Sequence, residues 1–194
     1  LHLCHHNLET INNTTSMTTT SDTLLAEVCM AAKYEGQSIR DYYTIHEHTN
    51  RDTKSQLCTV LARSFADIGD IVRGRDLYLG NPEEIEQRQQ LDKKLKTIFK
   101  QIHGGLTKKD AQTYYNDNDK NYYKLREDWW TANRHTVWEA LTCEVGGGTY
   151  FRATCSMNGS GAQANNKCRC KKNDGKDDTD QVPTYFDYVP QHLR

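Results

Sequence analysis

The apolar residues between Leu57 and Val72 restrict the fold of this chain more than any other feature. They recur at steps of 4, 4, 3 and 4 residues, in the order Leu57, Leu61, Phe65, Ile68 and Val72. This spacing places them on one face of an α-helix, and charged residues mostly occupy the other positions. The pattern predicts an amphipathic helix that starts near Asp52, ends near Arg75 and packs its apolar stripe into a helical bundle.

The sequence at Asn81 marks the start of a second helix. Asn81 can accept a hydrogen bond from the first turn, and Pro82 suits the first helical position. Glu84 can complete a capping box, and its charge is favourable near the positive end of the helix dipole. Apolar residues then recur at helical spacing, so the helix is expected to continue to Gly104.

Other segments also have helical patterns. One runs from Asp22 to about Tyr34, where the following Gly36 is a natural C-terminal stop. A short helix is predicted over residues 107–115 and a long one over residues 120–144. No segment has a convincing strand pattern, so the chain is predicted to be all-α.

The long helix contains the tryptophans of this chain, which could form a core or a binding hot spot. Trp129, Trp130 and Trp138 occur at helical spacing, which favours core packing. Because Trp129 and Trp130 are adjacent, they cannot point in the same direction, and one of them is a candidate for an interface.

The cysteine count predicts a disulfide framework. The 194 residues are only 36% hydrophobic, so the core must be small for the length. The seven cysteines are Cys4, Cys29, Cys58, Cys143, Cys155, Cys168 and Cys170. An odd set of this kind is typical of an extracellular module with three disulfides and one cysteine that bonds elsewhere. An intracellular metal-binding protein is the alternative; Cys-x-x-Cys pairs are absent, and titration of free thiols separates the two.

The cysteines also suggest how the segment 149–181 is held. Its many glycine and polar residues predict a surface loop fixed by covalent bonds. Cys155 is expected to pair with either Cys168 or Cys170. Cys4 and Cys29 are left to pair with each other or with cysteines outside this sequence.

Catalytic, metal and cofactor sites are not predicted. His2, Cys4, His5 and His6 lie close together, but a terminal cluster lacks a scaffold to fix ligand geometry. Asp117 and Asp119 do not follow the spacing of a calcium loop and are interpreted as solvated turn residues. No serine or cysteine has the neighbouring base that an enzymatic nucleophile needs, so the chain is not expected to be an enzyme.

Two clusters of basic residues are candidate contacts for a partner. The first comprises Arg88, Lys93, Lys96, Lys100, Lys108 and Lys109, and the second comprises Lys167, Arg169, Lys171 and Lys172. A solvated helix face is the plain alternative; the functional interpretation is contact with a sulfated glycan or an acidic host surface. Nucleic acid is not expected as a partner, because the net charge is −1 and aromatic residues are not interleaved with these cations.

Three strings in this sequence resemble one known family. Residues 58–80 read CTVLARSFADIGDIVRGRDLYLG, residues 182–191 read VPTYFDYVPQ, and residues 24–36 read LLAEVCMAAKYEG. The first two are similar to the boundary signatures of the alpha-class Duffy-binding-like domain in the erythrocyte membrane protein 1 family of malaria parasites. Because they are long and occur in the right order, the chain is identified as a member of this family over nearly its whole length.

The resemblance implies a disulfide-stapled helical bundle with long loops, mainly the central subdomain of that domain. Residues 1–50 would form an opening segment with the first helix, residues 51–145 the central bundle, and residues 146–194 a Cys/Gly-rich loop leading to a further subdomain. The family further implies a bond between Cys58 and Cys143, closing about 85 residues and worth roughly 4 to 5 kcal/mol. If both flanking helices run antiparallel to a middle one, this pairing requires a staggered or crossed arrangement.

The implied function is adhesion by a variant surface antigen on the outer face of infected erythrocytes. The expected partners are a host cell-surface protein or a sulfated or blood-group glycan, together with host antibodies. This segment itself is not expected to contact a membrane. Four cysteines lie between the two boundary strings of this chain. In the family, members with two cysteines there are more often linked to rosetting, and this chain departs from that type. The alternatives are a structural spacer that acts as an immune decoy and a related erythrocyte-invasion ligand.

Overall fold

The computed structural model describes residues 19–49, 57–77, 80–145, 150, 155–157, 160–162, 164, 167–171 and 181–194. The histidine-rich cluster at residues 2–6, which includes Cys4, lies outside this part, as does Lys172. Within the described residues the helices are α1 (Thr20–Thr49), α2 (Leu57–Arg73), α3 (Pro82–Gly104), α4 (Lys109–Tyr114) and α5 (Tyr123–Leu141). The all-α prediction is confirmed.

A short hairpin was not predicted. Strands β1 (Cys155–Met157) and β2 (Ser160–Ala162) pair antiparallel, with Cys155 opposite Ala162. Each strand has only three residues, too few to show the alternation of apolar and polar residues that reveals a strand in sequence. The hairpin lies in the segment that was predicted to be a loop fixed by disulfides.

The chain divides into two compact units. We call the first the disulfide unit; it contains Cys29–Ile68 and Arg134–Arg194. The second contains the described residues of Cys4–Val28 and Gly69–Asn133 and is called the α3 unit, since α3 and α4 lie wholly within it. Among the described residues, no helix is long and apolar enough to span a membrane.

The start of α3 has the capping box predicted from its sequence. The Asn81 side chain accepts a hydrogen bond from the Glu84 backbone amide at 2.9 Å, and the Glu84 carboxylate accepts one from the Asn81 amide at 3.1 Å. Pro82 occupies the first turn. Leu91, Leu95, Ile98 and Phe99 form the buried side of the helix. The opposite side of α3 is therefore free to carry charged residues.

Helix α2 ends in a glycine cap that also explains its neighbour Arg126. Gly74 has a φ of +73°, and the amides of Gly74 and Arg75 donate to the carbonyls of Ile71 and Asp70, which is a Schellman arrangement. A side chain at Gly74 would begin 2.8 Å from the Arg126 guanidinium. Glycine is thus needed here both for its backbone conformation and for the space that Arg126 fills.

Helix α1 continues well past Gly36, so the predicted stop there is wrong. A Cβ atom at Gly36 would collide with the carbonyl oxygen of Leu141. Gly36 is buried in the middle of α1. Because it has no side chain, the backbones of α1 and α5 can touch there within the disulfide unit. The glycine signals close approach between helices rather than helix termination.

The tryptophans form core, as predicted. Trp129 and Trp130 are both buried in the α3 unit, and a Cβ atom at Gly69 would lie 2.9 Å from the Trp130 ring. In the disulfide unit, buried Trp138 packs edge-on against Phe65, with ring centroids 5.1 Å apart. The expectation that one of the adjacent tryptophans is interfacial is not met within the chain, since Trp129 is only 5% exposed.

The long-range disulfide joins Cys58 to Cys168, so the pairing with Cys143 that the resemblance implied is wrong in this structure. The Trp138 indole N–H donates to the carbonyl of Cys168 at 3.1 Å and so joins this part of the loop to α5. Cys58 lies in the first turn of α2, and its bond to Cys168 joins that turn to the loop. Cys143 lies in the turn after α5 and, among the described residues, is a free thiol.

The second disulfide joins Cys155 to Cys170, one of the two pairings left open for this loop. Cys29 was a disulfide candidate and is a free thiol within the described structure. Burial, and to a lesser degree the negative charge of Glu139, raise the pKa of the Cys29 thiol to about 11. This thiol is therefore protonated at neutral pH and a poor nucleophile.

A buried ion pair fixes the string at residues 182–191 to α5 within the disulfide unit. Asp187 is fully buried and accepts two hydrogen bonds from Arg134, at 2.9 and 2.8 Å. Arg134 also donates to the carbonyl of Thr184. The string resembling a family signature thus has a structural role, because Asp187 neutralises a buried arginine.

Candidate functional site

Four exposed lysines remain available for contact with a partner. Lys93 and Lys100 are seven residues apart on α3, which is close to two helical turns, and both side chains are exposed. Lys108 and Lys109 are exposed where α4 begins. In the part of the chain that the structure describes, none of the four has an ion-pair partner. We refer to these residues as the exposed lysine group.

Two other predicted contact residues on α3 are paired within the chain. The Lys96 ammonium lies 2.8 Å from Asp92, and the Arg88 guanidinium lies 3.4 Å from Asp76. A partner would have to compete with these carboxylates. Lys96 and Arg88 therefore offer less free positive charge than their positions in the sequence suggested.

Asp92 connects the surface of α3 to a buried arginine. Its carboxylate lies 3.0 Å from the guanidinium of fully buried Arg126, which also donates to the carbonyls of Ile71 and Val72. Burial alone would raise the pKa of Asp92, but the hydrogen bonds and charges of Lys96 and Arg126 outweigh it and hold that pKa below its ordinary value. Arg126 thereby links α3 to the end of α2, so α3 is a firm support for its exposed lysines.

Two members of the second cluster of predicted contact residues, Lys167 and Arg169, hold the loop. Arg169 donates to the Thr142 hydroxyl at 2.8 Å and to the Glu139 carbonyl at 2.7 Å, while the Lys167 ammonium donates to the Cys143 carbonyl at 2.9 Å. These acceptors lie in the last turn of α5 and just after it, where carbonyls lack partners within the helix. Lys171 is exposed.

An exposed row on α1 was missed by the sequence argument. Met30, Tyr34, Ser38 and Tyr42 are all exposed and follow one another at four-residue steps, so they share a helix face. The row was overlooked because the helix was expected to end at Gly36. Its spacing was the available signal. A Tyr- and Met-rich surface is typical of the residues that mediate protein contacts.

The described residues include several acidic and histidine side chains. Among them, no group of three His, Cys, Asp or Glu residues is placed to hold a metal ion. Asp117 accepts hydrogen bonds from the backbone amides of Asp119, Asn121 and Tyr122. Its carboxylate therefore organises the turn before α5, in agreement with its interpretation as a turn residue.

The chain matches the model of the Duffy binding domain over residues 1–194. It resembles the NTS-DBL1(alpha-1) domain of Plasmodium falciparum membrane protein 1 (PfEMP1) from the varO strain, with 38% identity and a TM-score of 0.65. It also resembles the NTS-DBL1-alpha and CIDR-gamma double domain of that protein, with 40% identity and a TM-score of 0.72. Each match covers 99% of this chain but only 40% and 25%, respectively, of the other.

A beta-class domain of PfEMP1, in a structure with human ICAM-1 bound, is similar as well. The identity is 29% and the TM-score is 0.61, over 99% of this chain and 36% of the other. Among curated proteins no match was found.

Proposed function

Because this chain belongs to the Duffy-binding domain family, we propose that it is part of an adhesion module of a variant surface antigen, exposed on infected erythrocytes, that binds a host cell-surface protein or glycan. Its similarity to domains of PfEMP1 supports this role, and one such domain was solved with human ICAM-1 bound. The similarity to PfEMP1 domains favours the variant-antigen role. A non-catalytic function and exposure to host antibodies follow from the same proposal.

The exposed lysine group is the observation that supports a particular binding surface. Lys93 and Lys100 project from a helix that is capped at its start and anchored through Asp92 and Arg126. Several cations held on such a support can act together on an acidic partner. A sulfated glycan or an acidic protein surface therefore fits this part of the molecule better than a neutral or basic partner.

Heparin-affinity chromatography tests this surface. We expect the chain to elute above physiological salt, and the variant Lys93→Glu/Lys100→Glu to elute at lower salt. The matched control is Arg63→Glu/Lys120→Glu, which changes the net charge equally at two exposed positions outside the exposed lysine group. The control should elute close to the wild type.

Two results would count against the proposed surface. Elution of the wild type at or below physiological salt would remove the basis for acidic-glycan binding. An equal shift of both double variants would show that net charge, and not the position of these lysines, determines retention. Screening the complete domain against host proteins and glycans then tests adhesion itself, and a complete lack of binding would favour the spacer or immune-decoy role.

A further inference from the structure

A cavity of about 310 Å³ lies in the α3 unit, apart from the exposed lysine group. Its polar lining consists of Asp76, Arg88, Gln89 and Asp92, and its apolar walls include Ile71 and Ile85. The volume is at the lower end of the roughly 300 to 1,000 Å³ that small-molecule sites occupy. The cavity is therefore large enough for one small ligand group.

The helices place these side chains together. Ile85, Arg88, Gln89 and Asp92 follow at steps of three, one and three residues, so they lie along one side of α3 over two turns. Asp76 comes from the chain just after the Gly74 cap of α2, and Gly74 contributes no side chain to the cavity. The site is thus built from a helix and a capped helix end rather than from a long loop.

The charged groups of the lining are paired with one another or with their neighbours. Arg88 lies 3.4 Å from Asp76, while Asp92 lies 3.0 Å from Arg126 and 2.8 Å from Lys96. A charged ligand would have to separate one of these pairs, and partly buried pairs are costly to break. A neutral ligand leaves them intact.

The paired groups can still form hydrogen bonds. A carboxylate has about four lone-pair sites, a guanidinium has five N–H donors, and the Gln89 amide both donates and accepts. A ligand with several hydroxyl groups matches this mixture of donors and acceptors, while its C–H faces can contact Ile71 and Ile85. These are the properties of a sugar ring.

From this geometry we propose that the cavity binds one pyranose ring of a neutral glycan. The exposed lysine group would contact acidic ligands, whereas this cavity would recognise hydroxyl pattern without requiring a charge. Its biological use rests on the proposed adhesive function, but binding of a free glycoside is a property of the chain alone. The two proposals can therefore fail separately.

Saturation-transfer NMR on the whole chain tests the proposal, with the methyl glycosides of galactose, glucose, mannose and N-acetylglucosamine as neutral probes. We expect transfer to at least one of them. Galactose 6-sulfate serves as the charged comparator. It should show no stronger transfer in the cavity than its neutral parent, and any excess should disappear in Lys93→Glu/Lys100→Glu.

The variant Gln89→Leu removes the amide from the cavity wall and should weaken binding of the responding glycoside about 3- to 10-fold, the loss expected for one neutral hydrogen bond. Gln87→Leu is the matched control, since Gln87 is exposed on the same helix and does not line the cavity. It should bind as the wild type does. Circular dichroism of both variants checks that α3 remains folded.

A second variant, Ile85→Trp, fills the cavity and should abolish the transfer. The proposal is overturned if no neutral glycoside shows transfer to the wild type. It is also overturned if Gln89→Leu and Gln87→Leu bind equally, or if the folded Ile85→Trp variant still binds at wild-type strength. Heparin retention that persists in Ile85→Trp would show that the exposed lysine group acts independently.

Discussion

Basic residues serve different purposes in the two units of this protein. In the disulfide unit, Lys167 and Arg169 donate hydrogen bonds to the end of α5. In the α3 unit, Lys93 and Lys100 are exposed, and within the described residues they have no ion-pair partner. The sequence motivated the same interpretation for both clusters, namely contact with a partner.

The difference shows that the hydrogen-bond acceptors near a cation determine whether its charge is available to a partner. Its position in a basic cluster does not. The segment around Lys167 has few apolar residues to bury, so it is held by disulfides and by hydrogen bonds to a helix end. Helix α3 instead buries Leu91, Leu95 and Phe99, and its Lys93 and Lys100 make no ion pair within the described residues. Lys93 and Lys100 on α3 therefore remain available to a ligand, whereas Arg169 is engaged at the end of α5.

Removing the long-range disulfide should give the largest effect and separate the two regions most clearly. The bond between Cys58 and Cys168 has a sequence separation of 110 residues. The variant Cys58→Ala/Cys168→Ala should lose about 4 to 5 kcal/mol of unfolding free energy in the chain-entropy model, measured by urea denaturation.

The control for this variant is Cys155→Ala/Cys170→Ala, whose bond has a separation of only 15 residues. The same model gives a loss of about 3 kcal/mol for it. An equal or larger loss for this shorter bond would contradict the view that the long-range bond is the main covalent restraint in the disulfide unit.

A smaller effect should follow from the loop cations. Arg169→Ala removes hydrogen bonds from a charged donor to Thr142 and Glu139, and it should reduce the unfolding free energy by about 1.5 to 3 kcal/mol. Lys171→Ala, at an exposed position two residues away, should change it by less than about 0.5 kcal/mol. If urea denaturation gives equal losses for both variants, Arg169 does not hold the loop.

The acid dependence of stability should show that Lys96 and Arg126 stabilise the charged form of Asp92. Because the pKa of Asp92 is lowered on folding, its contribution is fully present above its unfolded pKa of about 3.9 and is lost as the pH falls through the lower folded value. The difference in unfolding free energy between the wild type and Asp92→Asn should therefore shrink between pH 5 and pH 2.5. A constant difference over this range would mean that Lys96 and Arg126 do not stabilise the Asp92 charge.

Local signals in the sequence predicted much of the fold. The Asn81 capping box, the stripe of α2 and the buried tryptophans depend on neighbours within a few turns, and the structure confirms them. Gly36 misled the prediction because the space left by its missing side chain is filled by a distant part of the backbone, that of Leu141. A residue that ends one helix and a residue that lets two helices touch look the same in a single sequence.

The disulfide partner and the role of the loop cations could not be predicted for a related reason. Cys58 bonds to Cys168, 110 residues away, and the Trp138 indole donates to the Cys168 carbonyl; no spacing in the sequence records either contact. Likewise, the structure places the Glu139 carbonyl within reach of Arg169, whereas Lys100 makes no ion pair within the described residues. The cavity beside Arg88 also arises from the meeting of α3 with the end of α2.

Neutralising Lys93 and Lys100 of the exposed lysine group should have the smallest effect on the free energy of unfolding. Lys93→Gln/Lys100→Gln keeps good helix formers on α3 and removes no ion pair of the described structure, so the unfolding free energy should change by less than about 0.5 kcal/mol. Heparin retention should nevertheless fall, because the exposed charge is lost. A loss of more than about 1 kcal/mol in urea denaturation would show that these lysines stabilise the fold as Arg169 does. Unchanged stability together with weaker retention would instead assign them to the ligand, since the free energy they contribute would then depend on a partner being present.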